Sequence, residues 1–279
     1  MPELPEVETI IQRLKHGNQD QPPVPGNIIQ SVLVTWDRSI AEPDPRSFQR
    51  ILVGKQIMDA CRRGKYLHFP LDRGHLIAHL RMSGDMRMEK SISSDGAHLP
   101  PAEHDRVILN FTTSYRMAFN NIRKFGRMWY VEDAQSVFLG LGIEPLSDQF
   151  TAQGLFEILH THNRQIKPLL MDQKLIAGMG NIYTDETLFR ARLHPLRKSD
   201  SLSLQETEDL YHAIREVLNE GIRQFGASLD WVYRGGQFQN TFKVYQREGE
   251  SCFECGTAVE KIIVGQRSSH FCPNCQKRQ

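Results

Sequence analysis

The chain has 279 residues, a formal net charge of +1 and 39% hydrophobic residues. That length accommodates two domains, or one domain with attachments, and that apolar share supports a packed core. No run approaches the roughly 18 apolar residues of a membrane span, and the acidic start lacks the basic-then-apolar order of a secretory signal, so a cytosolic protein with no membrane partner is expected.

Residues 5–15 read as a helix. Pro5 suits its first turn, Glu6 and Glu8 complement the positive end of the dipole, and Val7, Ile10, Ile11 and Leu14 share one face. QPPVPG at 21–26 is a loop. From residue 28 to about 132 the signals are strand-like: IIQSVLVTW, KYLHFPL, HLIAHLRMSG, DRVILNFTT, YRMAFNN and GRMWYV are short β-branched or aromatic runs between turn residues. The polar stretch SISSDGAHLPPAEHD at 91–105 interrupts them. LGIEPLS at 141–147 has linker chemistry, and beyond it the period turns helical in TAQGLFEILH, IKPLLMDQK and NIYTDETLFRARL. The clearest helix is 204–225, with Ser203 and Glu206 as a capping box and Leu204, Leu210, Ile214, Val217, Leu218, Ile222 and Phe225 on one face. The expected class is α+β. An N-terminal β-sandwich with a leading helix fills 1–134, a linker 135–150, a helical domain with a Gly-rich loop 151–242, and a small separate unit 243–279.

The near-neutral total hides an uneven distribution. Residues 261–279 contain Lys261, Arg267, Lys277 and Arg278 and no acid, CRRGK fills 61–65 and RKFGR fills 123–127. Acids collect in the first ten residues and around 205–220. Such segregation suits a basic face meeting a polyanion, or an ordinary solvated surface; the runs alone do not decide.

Four of the five cysteines form two pairs, Cys252 with Cys255 and Cys272 with Cys275, separated by residues 256–271. Each pair can grip one ion, and the spacer is long enough for a hairpin. Four thiolates suit a tetrahedral Zn²⁺ with no open coordination position, so the metal is expected to be structural. Two disulfides are the alternative, which a cytosolic chain disfavours. Arg267 lies in the spacer, so the hairpin reads as a nucleic-acid finger or as a protein-interaction ribbon. Cys61 stands alone and reads as a small buried hydrophobe.

The chain end MPELPEVETI carries a further chemistry. Removal of Met1 exposes a secondary α-amine on Pro2 with a reference pKa near 7.7–8.0, of which about a tenth or more is neutral at pH 7. Such an amine can attack a sugar C1′ and form a cationic iminium, an electron sink that drives elimination. The Glu3 carboxylate beside it can move protons. Taken alone, the same residues also read as a leader before a helix.

MPELPEVET at 1–9 resembles the start of the formamidopyrimidine-DNA glycosylases, which repair oxidised purines. Further segments agree in order: RRGKYL at 62–67, HLRMSG at 79–84, RKFG at 123–126, LGIEPLS at 141–147, GMGNIY at 178–183, VYQREGE at 244–250 and QRSSHFCPNC at 266–275. The resemblance covers essentially the whole chain. It implies a β-sandwich, a helix–two-turn–helix domain and a zinc finger, acting as a monomer on double-stranded DNA containing oxidised bases or abasic (AP) sites, in the bacterial cytoplasm at the nucleoid. It also implies that Pro2 is the nucleophile, that Glu3 is its acid–base partner and that Lys65 contacts a phosphate near the lesion. Asn181 and Arg267 then hold the flanking phosphates, roles that suit a helix start and a guanidinium fork. Met82, Arg123 and Phe125 fill the gap left by the extruded base and hold its former partner.

Two departures stand out. Asn121 occupies a position where the family usually has Asp, which is expected to weaken the orientation of the loop carrying Arg123. The segment 226–238 is short and carries Trp231 and Tyr233, so the preferred lesion is left open. Two other functions stay in view: an endonuclease VIII-like glycosylase for oxidised pyrimidines, whose relatives usually carry Gly in place of Leu4, and a catalytically silent damaged-DNA-binding protein.

Overall fold

The computed structural model describes residues 2–93, 96–228 and 235–278. They form two compact units, one built around residues 6–139 and the other from 3–5, 140–227 and 236 onward.

In the first unit, α1 (Leu4–His16) forms where the sequence predicts it, with Val7, Ile10, Ile11 and Leu14 at most 2% exposed. Glu8 meets the Arg62 guanidinium at 2.9 Å. The strands are β1 (Ile29–Val34), β2 (Ile40–Glu42), β3 (Cys61–Arg63), β4 (Tyr66–Pro70), β5 (His75–His79), β6 (Gly84–Lys90), β7 (Asp105–Phe111), β8 (Tyr115–Asn121) and β9 (Arg127–Val131). They make a four-stranded sheet in the order β1-β7-β8-β6 and a five-stranded sheet in the order β2-β9-β5-β4-β3. Every neighbouring pair is antiparallel except β2 with β9. Alternating positions such as Met86 and Met88, Val107 and Leu109, and Met117 and Phe119 join the α1 face in one core.

Besides the three-residue strands β2 and β3, two longer elements escaped the sequence reading. Helix α2 (Pro45–Leu52) lies within the region read as strands. Asp44 caps it by accepting the Arg46 and Ser47 N–H groups, Pro45 opens it, and Phe48 and Leu52 are fully buried. Strand β6 was masked by Arg87 and Glu89, which alternate with its buried methionines. Arg87 is 2.8 Å from the buried Asp105 and 2.7 Å from Glu89, so these charges are paired along the sheet. A short α3 (Gln135–Phe138) ends the unit.

The second unit contains α4 (Ala152–His160), α5 (Ile166–Leu170), α6 (Asn181–Arg190), α7 (Leu204–Arg223) and the hairpin β10 (Glu260–Val264) and β11 (Arg267–Phe271). The capping box of α7 is present in both directions, and Leu210, Ile214, Val217 and Leu218 are buried. Leu204 and Phe225 depart from the predicted face and are exposed. Leu204 starts the helix, and Phe225, at φ 58°, lies past its end and out of its phase.

Candidate active site and zinc centre

The Glu3 carboxylate sits at the start of α6. Its oxygens accept the N–H groups of Ile182 at 3.1 Å and Tyr183 at 3.4 Å, and the residue is 3% exposed. The first N–H groups of a helix lack partners within it and point along the positive end of its dipole, which makes this position a natural cradle for an anion. Gly180 precedes the helix because nothing larger fits: a Cβ there would overlap the Glu3 carboxylate. Leu4 N–H donates to the Gly178 carbonyl at 3.1 Å, so the chain end is held at two successive residues. Pro2 is buried, and its nitrogen stays an amide until Met1 is removed.

Asn181 is the first residue of α6, and among the described residues its buried side-chain Oδ1 has no hydrogen-bond partner. Burial pushes the nearby Tyr245 phenol up, Asn181 opposes the shift, and the charges of Glu3, Asp185 and Arg267 are all felt there. Glu3, Asn181 and Arg267 therefore share one electrostatic neighbourhood. Arg267 is exposed at the start of β11, after a two-residue turn in which Gly265 and Gln266 both take positive φ, the geometry of a tight hairpin.

Two buried acids of α6 secure this arrangement. Asp185 accepts from Lys167 Nζ at 2.7 Å, Ser269 Oγ at 3.0 Å and His270 N–H at 2.9 Å. Glu186 accepts the backbone N–H groups of Lys243, Val244 and Tyr245 at 2.8–3.0 Å. Burial pushes the Glu186 carboxyl up and these three amides pull against it; Lys167 is pushed down by burial against the pull of Asp185.

In the first unit, Lys65 follows Gly64 in the β3–β4 connection and is 5% exposed. His79, at the end of β5, was missed by the sequence reading although it opens the HLRMSG segment. Burial, then the charges of Arg81 and Lys65, drive its imidazole down to about 3, so the ring is neutral. Its Nδ1 accepts the Arg81 N–H at 3.0 Å and its ring packs edge-on against Tyr66.

Met82, Arg123 and Phe125 are brought together. Met82 and Phe125 are 39% and 51% exposed, which is not how core residues sit. The Arg123 guanidinium lies 5.4 Å from the centre of the Phe125 ring, and the Arg123 N–H donates to Ser83 Oγ at 3.2 Å. Trp231 and Tyr233 lie outside the described residues.

The four cysteines fit the expected metal. Their sulfurs all lie within 4.8 Å of one another, with Cys255–Cys272 at 3.4 Å and Cys252–Cys275 at 3.9 Å. Zn–S bonds of about 2.3 Å in a tetrahedron set sulfurs about 3.8 Å apart, whereas a disulfide needs about 2.05 Å. This is a structural zinc centre, and among the described residues no other such cluster occurs. Cys61 is half-buried rather than a core residue, with its sulfur 3.3 Å from His68 Nδ1, and burial raises its thiol.

Comparison with known proteins agrees with this architecture. The formamidopyrimidine-DNA glycosylase N-terminal domain matches residues 1–128, the formamidopyrimidine-DNA glycosylase H2TH domain matches 141–231, and the zinc finger found in FPG and IleRS matches 249–278. The chain is 42% identical to the formamidopyrimidine-DNA glycosylase of Pelotomaculum thermopropionicum over 99% of both chains. Solved structures of Lactococcus lactis Fpg with DNA containing Fapy-dG and with DNA containing an abasic site each superpose with a TM-score of 0.88 at 34% identity, covering 99% of this chain and all of theirs. With matching domains along its length and a relative this similar from end to end, the chain belongs to the formamidopyrimidine-DNA glycosylase family.

Proposed function

We propose that this chain excises oxidised purines, the ring-opened formamidopyrimidines first among them, from double-stranded DNA and then nicks the strand as an AP lyase. The single observation that carries the reading is the Glu3 cradle. A carboxylate buried on the amino end of α6 fixes the residue next to Pro2, so a chain end otherwise free to fray is held in place.

With Met1 removed, the neutral Pro2 nitrogen attacks C1′ of the damaged nucleotide. The C1′–N bond to the base breaks, the sugar ring opens, and the C1′–N bond to Pro2 becomes an iminium. Glu3 shuttles the proton that ring opening requires. Loss of a C2′ proton turns the iminium into an enamine, which expels the 3′ phosphate with the electron pair and restores a conjugated iminium; loss of a C4′ proton then expels the 5′ phosphate in the same way. Lys65, Asn181 and Arg267 bind backbone phosphates around that sugar. Met82, Arg123 and Phe125 occupy the vacated stack and hold the base opposite. The zinc holds the hairpin that carries Arg267 and takes no part in the chemistry.

The test is borohydride trapping on duplexes bearing an AP site or a formamidopyrimidine. Protein lacking Met1 is expected to form a covalent adduct, and protein retaining Met1 is expected to form none. Absence of an adduct from the Met1-free protein, under conditions where a control lyase is trapped, overturns the enzymatic reading in favour of a silent damage binder. Comparing excision of formamidopyrimidine with thymine glycol separates the purine reading from the endonuclease VIII-like one. Among the described residues no helix is long and apolar enough to cross a membrane. We place the chain at the bacterial nucleoid, acting as a monomer, which light scattering with and without DNA checks.

A further inference from the structure

Two loops carry the three wedge residues. Residues 80–83 run from β5 in one sheet to β6 in the other, and residues 122–126 run back from β8 to β9. Because β5 pairs with β9 and β6 pairs with β8, the loops leave from matched points: His79 faces Arg127 at one end and Gly84 faces Asn121 at the other. Each loop contains a non-glycine residue at positive φ, Arg81 at 56° and Lys124 at 59°, a backbone state that persists only where the surroundings hold it.

Asn121 is what holds them. It is 0% exposed. Its Nδ2 donates to the Leu80 carbonyl at 2.9 Å, and its Oδ1 accepts the N–H groups of Phe125 at 2.9 Å and Gly126 at 3.2 Å. One carboxamide thus ties the Met82 loop to the Phe125 loop. Gly84 and Gly126 make the room, since a Cβ on either would run into that carboxamide. Its backbone is pinned as well, by its N–H to the His104 carbonyl at 2.9 Å and by Arg106 Nε to its own carbonyl at 3.0 Å. The expectation that Asn121 loosens the loop is therefore reversed. An amide donates and accepts at once, whereas a carboxylate only accepts and would face the Leu80 oxygen without a proton.

We propose that Asn121 is a positioning residue that sets Met82, Arg123 and Phe125 as one rigid wedge, and so controls extrusion of a base from duplex DNA rather than the chemistry at Pro2. This rests on the glycosylase reading above. A neutral carboxylic acid has the same donor and acceptor pattern as the amide, so Asp in this position makes the tie only while protonated. With Asn the tie is independent of pH.

The experiment measures two activities in each protein: excision of formamidopyrimidine from a duplex, and borohydride trapping on a single-stranded oligonucleotide with a preformed AP site. The second substrate has no stacked base to extrude and no opposite base to hold. Asn121→Leu, which removes all three side-chain bonds without adding charge, is expected to lose at least tenfold in duplex excision while single-strand trapping stays within twofold of wild type. Asn121→Asp is expected to fall progressively behind wild type in duplex excision as pH rises, and to recover as pH falls. Equal loss of both activities in Asn121→Leu, or wild-type duplex excision, overturns the proposal. Should that variant not fold, a pH profile of Asn121→Asp parallel to wild type overturns it instead. Failure of the wild type in both assays refutes the glycosylase reading, a separate outcome.

Discussion

Replacing Gly180 with Ala tests the Glu3 cradle by adding a single methyl group. Gly180 has φ −136° and ψ −161°, extended backbone that alanine adopts without strain, so no conformational penalty confuses the result. The added Cβ would overlap the carboxyl carbon and both oxygens of Glu3. Glu3 must leave, and with it go its bonds to Ile182 at 3.1 Å and Tyr183 at 3.4 Å. A hydrogen bond to a charged group contributes about 1.5–3 kcal/mol, and the longer bond adds little, so about 2–3 kcal/mol of positioning is lost. At about 1.36 kcal/mol per factor of ten, that predicts a fall of about 30- to 160-fold in kcat/KM for formamidopyrimidine excision. The assay is single-turnover excision on a lesion duplex, run beside a thermal melt and a binding titration on DNA carrying an uncleavable abasic analogue. Binding is expected to change little, since Asn181 and Arg267 remain. Excision within threefold of wild type would refute the claim that the start of α6 sets the position of Glu3.

Three further outcomes follow from the same geometry. Zinc chelation is expected to weaken DNA binding at least tenfold before the β-sandwich melts; anisotropy and circular dichroism recorded through one chelator titration check this, and parallel loss of both signals contradicts it. Lys167→Met leaves Asp185 buried without its cation and is expected to cost about 3–5 kcal/mol, read by denaturant unfolding, with Asp185→Asn added on top recovering part of the loss. The hydrogen bond from Arg197, and then the capping bond from Ser203, hold the Glu206 carboxyl below its ordinary range. Its contribution is therefore complete above the unfolded value near about 4.3 and fades as pH falls through the lower folded value. Glu206→Gln should cost at most about 1 kcal/mol at neutral pH, and the gap from wild type should close in acid; a gap that widens there contradicts the assignment.

The parts of this protein legible in its sequence are those where one residue type answers one physical need. The Cys252, Cys255, Cys272 and Cys275 spacing reads as a metal hairpin because few other uses want four thiols so arranged. The α7 boundary reads from Ser203 and Glu206 because the capping box is a local device. Helix α2 was also legible, since Asp44 before Pro45 is a start signal, but the surrounding β-branched runs outweighed it. Other features were not legible because their partners lie far away in the chain. Glu3 looks like part of a solvated helix leader until the amides of residues 182 and 183 are found against it. Asn121 looks like a weakened Asp until Leu80, some forty residues earlier, is seen to need a donor.

Helix α6 reads as a helix in the sequence, but the burial of its polar residues does not, and its composition explains why. Ile182 through Phe189 are all buried, including Thr184, Asp185, Glu186 and Thr187, so no solvent-facing polar side marks which residues pack inward. Burying two carboxylates is costly unless each is fully partnered. Here the partners are Ser269 and His270, close to Arg267, for Asp185 and the amides of residues 243–245 for Glu186, while Glu3 takes the amides at the helix start. The polar residues that make α6 a poor core helix therefore make it a common reference for Glu3, Asn181 and Arg267, the residues proposed as acid–base partner and phosphate ligands of this unit. Losing the zinc should then displace Arg267 and leave Glu3 where it is, since the bonds of Glu3 run to α6 and not to the hairpin. Loss of DNA affinity with retained trapping at saturating DNA is the expected outcome, and loss of both would show that the position of Glu3 depends on the zinc hairpin.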